Sequence, residues 1–275
     1  MNAVDRWRAD LEAWAIPPAI LEAAPESPYG FPAELFRSRG QRATEAEVAE
    51  PTPTTVRASE ALPEGGVVLD VGCGGGATSL PLAGRASAVV GVDAQEGMLE
   101  GFLRNARAAG LDAEAIQGRW PDVAERVPDI DVAVAGHVLY NVADIEPFVR
   151  ALSTKARRRV VCELTGRHPL HWMNDLWRTF HDEERPERPT AETAVEALAE
   201  LGFEPAIEIW DPPLRFGGFE RREDAVALVR RRLCLPAERD HDLARALGDR
   251  LARRGDLWSA GPKEQRLATI WFDAR

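Results

Sequence analysis

Val67-Val68-Leu69-Asp70-Val71-Gly72-Cys73-Gly74-Gly75-Gly76 is the stretch that decides the fold of this chain. Its first residues are branched and apolar, with Asp70 as the single charge, which is typical of a buried parallel strand. The glycines that follow suit a turn whose backbone bends sharply and lies close to a ligand. The pattern of residues 77–82 then predicts a helix, whose first amide groups and positive dipole end would face the same ligand.

A second apolar run, Ala88–Val92, is followed directly by Asp93. This acid stands about twenty residues beyond the first glycine, where dinucleotide-binding folds carry the carboxylate that holds ribose hydroxyls. Strand, turn, helix, second strand and acid therefore occur in the order that a nucleotide-binding unit requires. The turn lacks the Gly-Lys-Ser/Thr sequence of a P-loop.

These residues resemble the cofactor motifs of the class I S-adenosylmethionine-dependent methyltransferases, in which Asp-x-Gly-x-Gly-x-Gly wraps the amino-acid end of the cofactor. The resemblance implies S-adenosylmethionine as cofactor and an α/β fold with a Rossmann-like, seven-stranded, mostly parallel sheet with helices on both faces. A Rossmann-like fold with a different ligand is the alternative. By resemblance, the cofactor-binding residues of these first two motifs are Asp70, Gly72, Cys73, Gly74, Gly76, Asp93, Ala94 and Met98.

Strand and helix patterns alternate through the middle of the chain, which predicts a parallel sheet with helices on both faces. By resemblance, the last of seven strands is antiparallel. The predicted strands are Val67–Val71, Ala88–Val92, Ala113–Gln117, Ile130–Ala135, Val160–Glu163, Pro205–Trp210 and Leu267–Phe272. The helices predicted between them are Ala77–Leu82, Gln95–Ala109, Ile145–Ser153 and Ala191–Leu201.

Residues 1–60 are expected to form a helical N-terminal cap, and residues 61–275 the methyltransferase core. The cap helices are predicted at Val4–Ile16, Ala19–Ala24, Ala33–Arg39 and Thr54–Ala61. Insertions at about 165–190 and 214–261 exceed the minimal core, and the second is predicted to form two helices, around Asp224–Arg230 and over Asp240–Arg253. Because loops at the carboxyl ends of strands line the ligand crevice, these insertions are expected to govern substrate choice. Simple packing of the cap against the core is the alternative to a role at the substrate site.

After the third strand, the resemblance places the adenine of the cofactor beside Gly118, Arg119 and Trp120. Arg119 stands near the position where relatives carry an acid, which is a departure from the family pattern. Adenine could instead be held by the backbone amides of Arg119 and Trp120, or by Asp122. Trp120 could stack on adenine or pack in the core.

The stretch Gly136-His137-Val138-Leu139-Tyr140-Asn141 follows the fourth strand. By resemblance, Gly136 and His137 border the methionine end of the cofactor and Tyr140 points into the crevice, which Glu163 also faces. His137, Tyr140 and Glu163 are therefore the candidate catalytic residues, with His137 as a general base because imidazole titrates near neutrality. A hydrogen-bonded structural role for His137 is the alternative. The stretch differs from the Asn/Asp-Pro-Pro-Tyr/Phe sequence of amino-methylating nucleic-acid enzymes.

Composition narrows the range of partners and compartments. The 275 residues carry a formal net charge of −11, from 34 basic and 45 acidic residues, which disfavours nucleic acid as a partner. The 3 cysteines are widely spaced, and His168, His171 and His181 have weak metal-site spacing, so no metal is predicted. The start of the chain has no signal-peptide pattern and no apolar run reaches membrane-spanning length, which predicts a cytoplasmic protein without membrane association. Scarce lysine beside abundant alanine, arginine and glycine indicates a high-GC bacterial genome.

The sequence thus predicts methyl transfer from S-adenosylmethionine to a small-molecule acceptor, with release of S-adenosylhomocysteine. Oxygen, nitrogen and carbon acceptors stay open, as do a monomer and a homodimer. One alternative is an RNA- or protein-modifying methyltransferase, which a continuous basic surface around Arg157–Arg159 and Arg230–Arg232 would favour. The other is a non-catalytic S-adenosylmethionine-binding protein.

Overall fold

The computed structural model describes residues 1–29, 51–212, 218–262 and 264–274. Its helices are α1 (Ala3–Glu12), α2 (Pro18–Glu22), α3 (Pro53–Ala61), α4 (Glu96–Ala108), α5 (Ile145–Lys155), α6 (Asn174–His181), α7 (Ala191–Glu200), α8 (Arg222–Arg232) and α9 (Asp240–Leu247). Its strands are β1 (Gly66–Val71), β2 (Ala86–Asp93), β3 (Asp112–Gln117), β4 (Ile130–Gly136), β5 (Ala156–Thr165), β6 (Ala206–Trp210), β7 (Leu251–Arg254), β8 (Leu257–Ala260) and β9 (Leu267–Asp273).

Seven strands form one sheet in the order β3-β2-β1-β4-β5-β9-β6. The pairs among β1 to β5 are parallel, whereas β9 runs antiparallel to both β5 and β6. The predicted mostly parallel sheet with an antiparallel last strand is therefore confirmed. β5 begins at Ala156, earlier than expected, because Ala156 already pairs with Ile130 of β4.

Helices cover both faces of this sheet, as predicted. On one face, Phe148 of α5 and Leu198 of α7 share a buried cluster with Leu69 of β1. On the other face, Ala58 of α3 and Phe102 of α4 pack in a second cluster. Because crossover helices hide both faces, the carboxyl ends of the parallel strands form the edge where a ligand is expected to bind.

The helix predicted over Ala77–Leu82 is wrong. Residues 74–79 form successive turns, and the only helical segment there is a single 3₁₀ turn, Leu80–Leu82. Pro81 has no backbone N–H and Gly84 follows closely, so an α-helix cannot propagate through this short link to β2. The glycine turn therefore lacks the helix dipole that the sequence pattern implied.

The N-terminal residues take two separate positions. α1 packs against α7 and α5, and its Trp7 is fully buried and donates from Nε1 to the carbonyl of Val142 at 2.8 Å. The segment after α1 instead packs against a third apolar cluster, through Ile16, which precedes α2, and through Ile20 of α2. The helix predicted over Ala33–Arg39 lies outside the described residues.

The third cluster joins the two insertions, which the sequence treats as separate. Leu176 and Trp177 of α6 pack with Val229 of α8 and Leu243 of α9. The predicted helix Asp240–Arg253 ends at Leu247, because Gly248 adopts a φ of +52°. The chain continues as the hairpin β7–β8, whose turn contains Gly255 with a φ of +59°.

If α1 is part of the core, replacing Trp7 should destabilise the whole domain. We expect Trp7→Ala to lower the free energy of unfolding by about 3–5 kcal/mol, because it leaves a large cavity. Trp7→Phe should cost about 1–3 kcal/mol, since it keeps most of the ring and leaves the Val142 carbonyl without its donor. Urea unfolding measures both values, and unchanged stability of both variants would show α1 to be a dispensable appendage.

Candidate active site

The glycine turn after β1 has a left-handed backbone at alternate residues. Gly72, Gly74 and Gly76 have φ values of +71°, +51° and +87°. A Cβ on Gly72 would lie 2.4 Å from Val138, and one on Gly76 would lie 2.7 Å from Leu80, so these two glycines also allow close packing. Gly74 would meet nothing within 4 Å. Its outer face is therefore the open side of the turn, where a ligand can approach.

Asp70 lies buried next to this turn. Its Oδ2 accepts a hydrogen bond from the Ser79 hydroxyl at 2.6 Å, whereas Oδ1 is buried and has no partner among the described residues. Burial, with a smaller contribution from the nearby charge of Asp93, raises the pKa of Asp70 from 3.8 to about 7. Burial, with smaller contributions from the charges of Asp70 and Asp93, raises the pKa of the Cys73 thiol well above its usual value, so Cys73 is a poor nucleophile.

Asp93 ties the turn to the end of β2. Its Oδ2 accepts from the Gly74 amide at 3.1 Å, and its Oδ1 accepts from the Gln95 amide at 2.9 Å. Its main-chain carbonyl accepts from the Gly118 amide at 3.0 Å, which holds the end of β3 alongside. The half-buried carboxylate is therefore held at the end of β2, beside the glycine turn, where a ribose-binding acid is expected.

The remaining predicted cofactor residues lie around the ends of β2 and β3. Ala94 is exposed, and Met98 is buried in α4. Arg119 is exposed, whereas the indole Nε1 of Trp120 donates to the Phe148 carbonyl at 3.0 Å. This hydrogen bond directs the Trp120 ring towards α5, so its contacts are those expected if Trp120 packs in the core and does not stack on adenine.

The end of β4 lies directly against the glycine turn. A Cβ on Gly136 would come within 2.0 Å of the Thr78 hydroxyl, so a larger residue would separate strand and turn. The next residue, His137, has a φ of +59°, and its amide donates to the Glu163 carbonyl of β5 at 2.6 Å. Such a backbone costs about 1–2 kcal/mol in a residue with a side chain, and strain of this kind clusters at functional sites.

The side chains of His137 and Glu163 form an imidazole–carboxylate pair at this edge. His137 Nε2 lies 3.2 Å from Glu163 Oε1, and the His137 side chain is 44% exposed against 14% for Glu163. The carboxylate is thus held inside and the ring reaches solvent beside the turn. This arrangement can orient an imidazole for proton transfer, as a buried carboxylate does in a catalytic triad.

Glu163 is also held by residues that the sequence did not single out. Its Oε2 accepts from the Thr54 hydroxyl of α3 at 2.6 Å, and Thr54 Oγ1 lies 2.7 Å from Thr269 Oγ1 of β9. Trp210 Nε1 of β6 donates to Thr269 Oγ1 at 3.0 Å. Thr269 is the cross-strand partner of Glu163 between β5 and β9. The sequence does not reveal this pairing, because it depends on the register of two strands that are far apart along the chain.

Tyr140, expected to point into the crevice, is instead buried. Its hydroxyl donates to the Thr165 carbonyl at 2.7 Å, and its ring stacks on Trp7 at 5.8 Å between centroids. Burial raises the pKa of Tyr140 strongly. Because its hydroxyl already donates to the main chain, Tyr140 supports the loop after β4 and cannot donate a second hydrogen bond to a substrate.

The remaining histidines of the first insertion each have another partner. His168 stacks on Trp14 with centroids 3.8 Å apart, and burial lowers its pKa to about 3. His171 Nε2 lies 2.7 Å from Glu187, and His181 Nε2 lies 2.6 Å from the Leu233 carbonyl. Among the described ranges, no group of three or more His, Cys, Asp or Glu side chains is placed to hold a metal ion.

Comparison with known proteins identifies the domain. Residues 68–158 match a family model described as a methyltransferase domain. A Haemophilus influenzae protein described as uncharacterised is 27% identical over 207 residues, which is 75% of each chain. The ubiquinone biosynthesis O-methyltransferase of Azorhizobium caulinodans is 37% identical over 83 residues, 30% of this chain and about a third (33%) of that relative. The YcgJ protein of Bacillus subtilis superimposes with a TM-score of 0.53 at 17% identity, over 81% of this chain and 97% of that one.

The matched residues contain the glycine turn, Asp93 and His137. The chain therefore contains a domain of the S-adenosylmethionine-dependent methyltransferase type. Its cofactor is S-adenosylmethionine, which carries an ammonium, a sulfonium and one carboxylate and is therefore a cation overall. The open face of Gly74 and the negative charges of Asp70 and Asp93 beside it suit such a cation.

The raised pKa of Asp70 predicts how stability depends on pH. Between pH 4 and pH 7 the folded protein binds a proton that the unfolded chain releases, so stability falls as pH rises through this range. Above pH 7, ionised Asp70 lowers the free energy of unfolding by an amount on the order of 4 kcal/mol. We expect Asp70→Asn to equal the wild type near pH 4 and to be more stable by about that amount at pH 8, measured by urea unfolding without cofactor. A difference independent of pH would contradict burial of the charged carboxylate.

Asp93 should contribute to cofactor affinity through a charge-assisted hydrogen bond. We expect Asp93→Ala to weaken S-adenosylhomocysteine binding by about 1.5–3 kcal/mol in calorimetry. Asp112→Ala is the matched control, because it removes the same charge at the opposite end of the sheet, where β3 begins. Equal affinities for both variants and the wild type would refute the assignment of Asp93.

Proposed function

We propose that this methyltransferase transfers a methyl group to a small molecule whose acceptor atom carries a proton, first of all a hydroxyl. The observation that supports it is the His137–Glu163 pair beside the glycine turn, with Nε2 and Oε1 3.2 Å apart. The cofactor supplies an electrophilic methyl group when bound. An acceptor of this kind then needs a base, which such a pair provides.

In this proposal, His137 is the general base and Glu163 orients it. Nε2 faces the carboxylate, so it carries the ring proton and Nδ1 is left with a free lone pair. Nδ1 is then the atom that would accept the acceptor's proton, and the bound cofactor would supply the methyl group that replaces this proton on the acceptor oxygen. Glu163 stays ionised and stabilises the imidazolium that results.

The charge distribution supports a small acceptor over RNA. Arg157 and Arg158 lie at the amino end of β5, away from the glycine turn. Their guanidinium groups lie 3.8 Å from the Asp129 carboxylate and 3.9 Å from the Asp131 carboxylate, respectively. Arg230 is mostly buried and pairs with Glu26 at 3.2 Å. Acids thus face basic residues in both arginine-rich segments. The name of the Azorhizobium relative, an O-methyltransferase of ubiquinone biosynthesis, also favours a small hydroxylated acceptor.

A cytoplasmic location is part of the same proposal. Cys73, Cys162 and Cys234 are free and buried, which suits a reducing compartment. No helix in the described part of the chain has the length and apolarity to cross a bilayer.

Methyl-labelled S-adenosylmethionine distinguishes the acceptor classes. The purified protein is incubated with the label and with separate small-molecule, RNA and protein fractions of a bacterial lysate. We expect the label to appear in the small-molecule fraction. Label in RNA or protein would favour the alternative modifying enzymes, and label in no fraction would favour a non-catalytic binding protein.

Replacing the base should lower turnover and leave cofactor binding intact. We expect His137→Asn to reduce methyl transfer by about a hundredfold or more, because asparagine tolerates the left-handed backbone but cannot accept the proton at neutral pH. Affinity for S-adenosylhomocysteine should stay within about twofold. His241→Asn, in an exposed position of α9, is the control. Unchanged turnover of His137→Asn would remove His137 from the base role.

A further inference from the structure

A chain of polar side chains runs from the exposed His137 into the interior of the sheet. It passes from His137 to Glu163, then to the Thr54 hydroxyl at 2.6 Å, to the Thr269 hydroxyl at 2.7 Å and to Trp210 at 3.0 Å. Thr54 and Thr269 are 2% and 0% exposed. Four separate elements, α3, β5, β9 and β6, therefore meet at one line of hydrogen bonds.

The direction of these hydrogen bonds follows from the chemistry of their first member. An indole N–H can only donate, so the Thr269 oxygen accepts from Trp210 and its own proton is available for Thr54. Thr54 then accepts from Thr269 and donates to Glu163 Oε2. A carboxylate that accepts on Oε2 is suited to remain ionised and to accept the Nε2 proton of His137 on Oε1.

We propose that Thr54, Thr269 and Trp210 are positioning residues that fix the tautomer and orientation of His137 through Glu163. This inference rests on the proposed function of His137 as a base, and it adds the residues that make Nδ1 its basic atom. A one-way series of hydrogen bonds holds Glu163 in place and prevents its carboxylate from turning away from the ring. The two threonines thus act on an atom that neither of them touches.

The two threonines occupy sites where an apolar residue would otherwise fit. Thr269 lies within the apolar strand Leu267–Asp273, between Ala268 and Ile270, and Thr54 faces the same interior from the first turn of α3. Burying a hydroxyl is unfavourable unless it is hydrogen-bonded, and valine has nearly the same shape as threonine. The hydroxyls are therefore explained by the carboxylate they hold, and packing alone gives no reason for them.

Matched substitutions of Thr54 separate positioning from packing. Thr54→Val keeps the shape and removes the hydroxyl, whereas Thr54→Ser keeps the hydroxyl and removes a methyl group. The readout is the rate at which diethyl pyrocarbonate modifies His137 in the cofactor-free protein, followed by peptide mass spectrometry, with the exposed His241 as internal reference. This rate reports how readily the free ring nitrogen attacks, and it needs no acceptor.

We expect Thr54→Val to slow modification of His137 by about tenfold, the effect of losing one hydrogen bond to a charged group, with His241 unchanged. Thr54→Ser should stay within about twofold of the wild type. A packing role predicts the reverse order, with serine worse than valine. That order, or equal rates in all three proteins, would overturn the proposal.

Thr269→Val is the second variant, and it keeps the test decisive if Thr54→Val does not fold. It should slow modification less than Thr54→Val, because Thr54 can still donate to Glu163, and an unchanged rate would remove Thr269 and Trp210 from the series. The two proposals fail separately. If His137→Asn keeps full methyl transfer while Thr54→Val slows modification, the base assignment is wrong and the positioning series stands.

Discussion

The Glu163 carboxylate joins the elements on which the candidate active site depends. One oxygen faces His137 at the end of β4, and the other accepts from Thr54 at the start of α3. Its strand, β5, pairs with β4 on one side and with β9 on the other. A mostly buried charge is stable only where donors surround it, so this carboxylate fixes how the N-terminal helix α3 and the last strand are placed around the crevice.

A second set of charges, those of Asp70 and Asp93, lies at the glycine turn. Asp70 and Asp93 give the glycine turn a negative field, and the single 3₁₀ turn at Leu80–Leu82 does not offset it with a helix dipole. In the cofactor-free protein this field is unfavourable, because Asp70 is buried with one oxygen unpartnered. We propose that binding a cation relieves that cost, so that Asp70, which weakens the empty domain, contributes to its affinity for S-adenosylmethionine.

Much of the sheet, and the edge at which the candidate site residues lie, could be predicted from the sequence. The apolar runs before Gly72 and Asp93 define buried strands, and residues that end parallel strands meet at one edge, which brings Asp93, His137 and Glu163 together. The contact of Thr54 with Glu163 could not be predicted, because it joins residues 109 positions apart through the docking of α3. Likewise, only the structure shows on which side of the turn after β4 the Tyr140 ring lies. Pro81 is the residue in the sequence that argues against the predicted helix Ala77–Leu82.

The most direct test of this account is a crystal structure of the protein with S-adenosylhomocysteine. We expect the ribose hydroxyls on Asp93, the amino-acid end over Gly74, and the sulfur on the side of the crevice that the exposed edge of His137 faces. Nε2 should still point to Glu163, so that Nδ1 faces the space beside the sulfur. A sulfur directed away from His137, or a His137 ring turned so that Nδ1 contacts Glu163, would contradict the account.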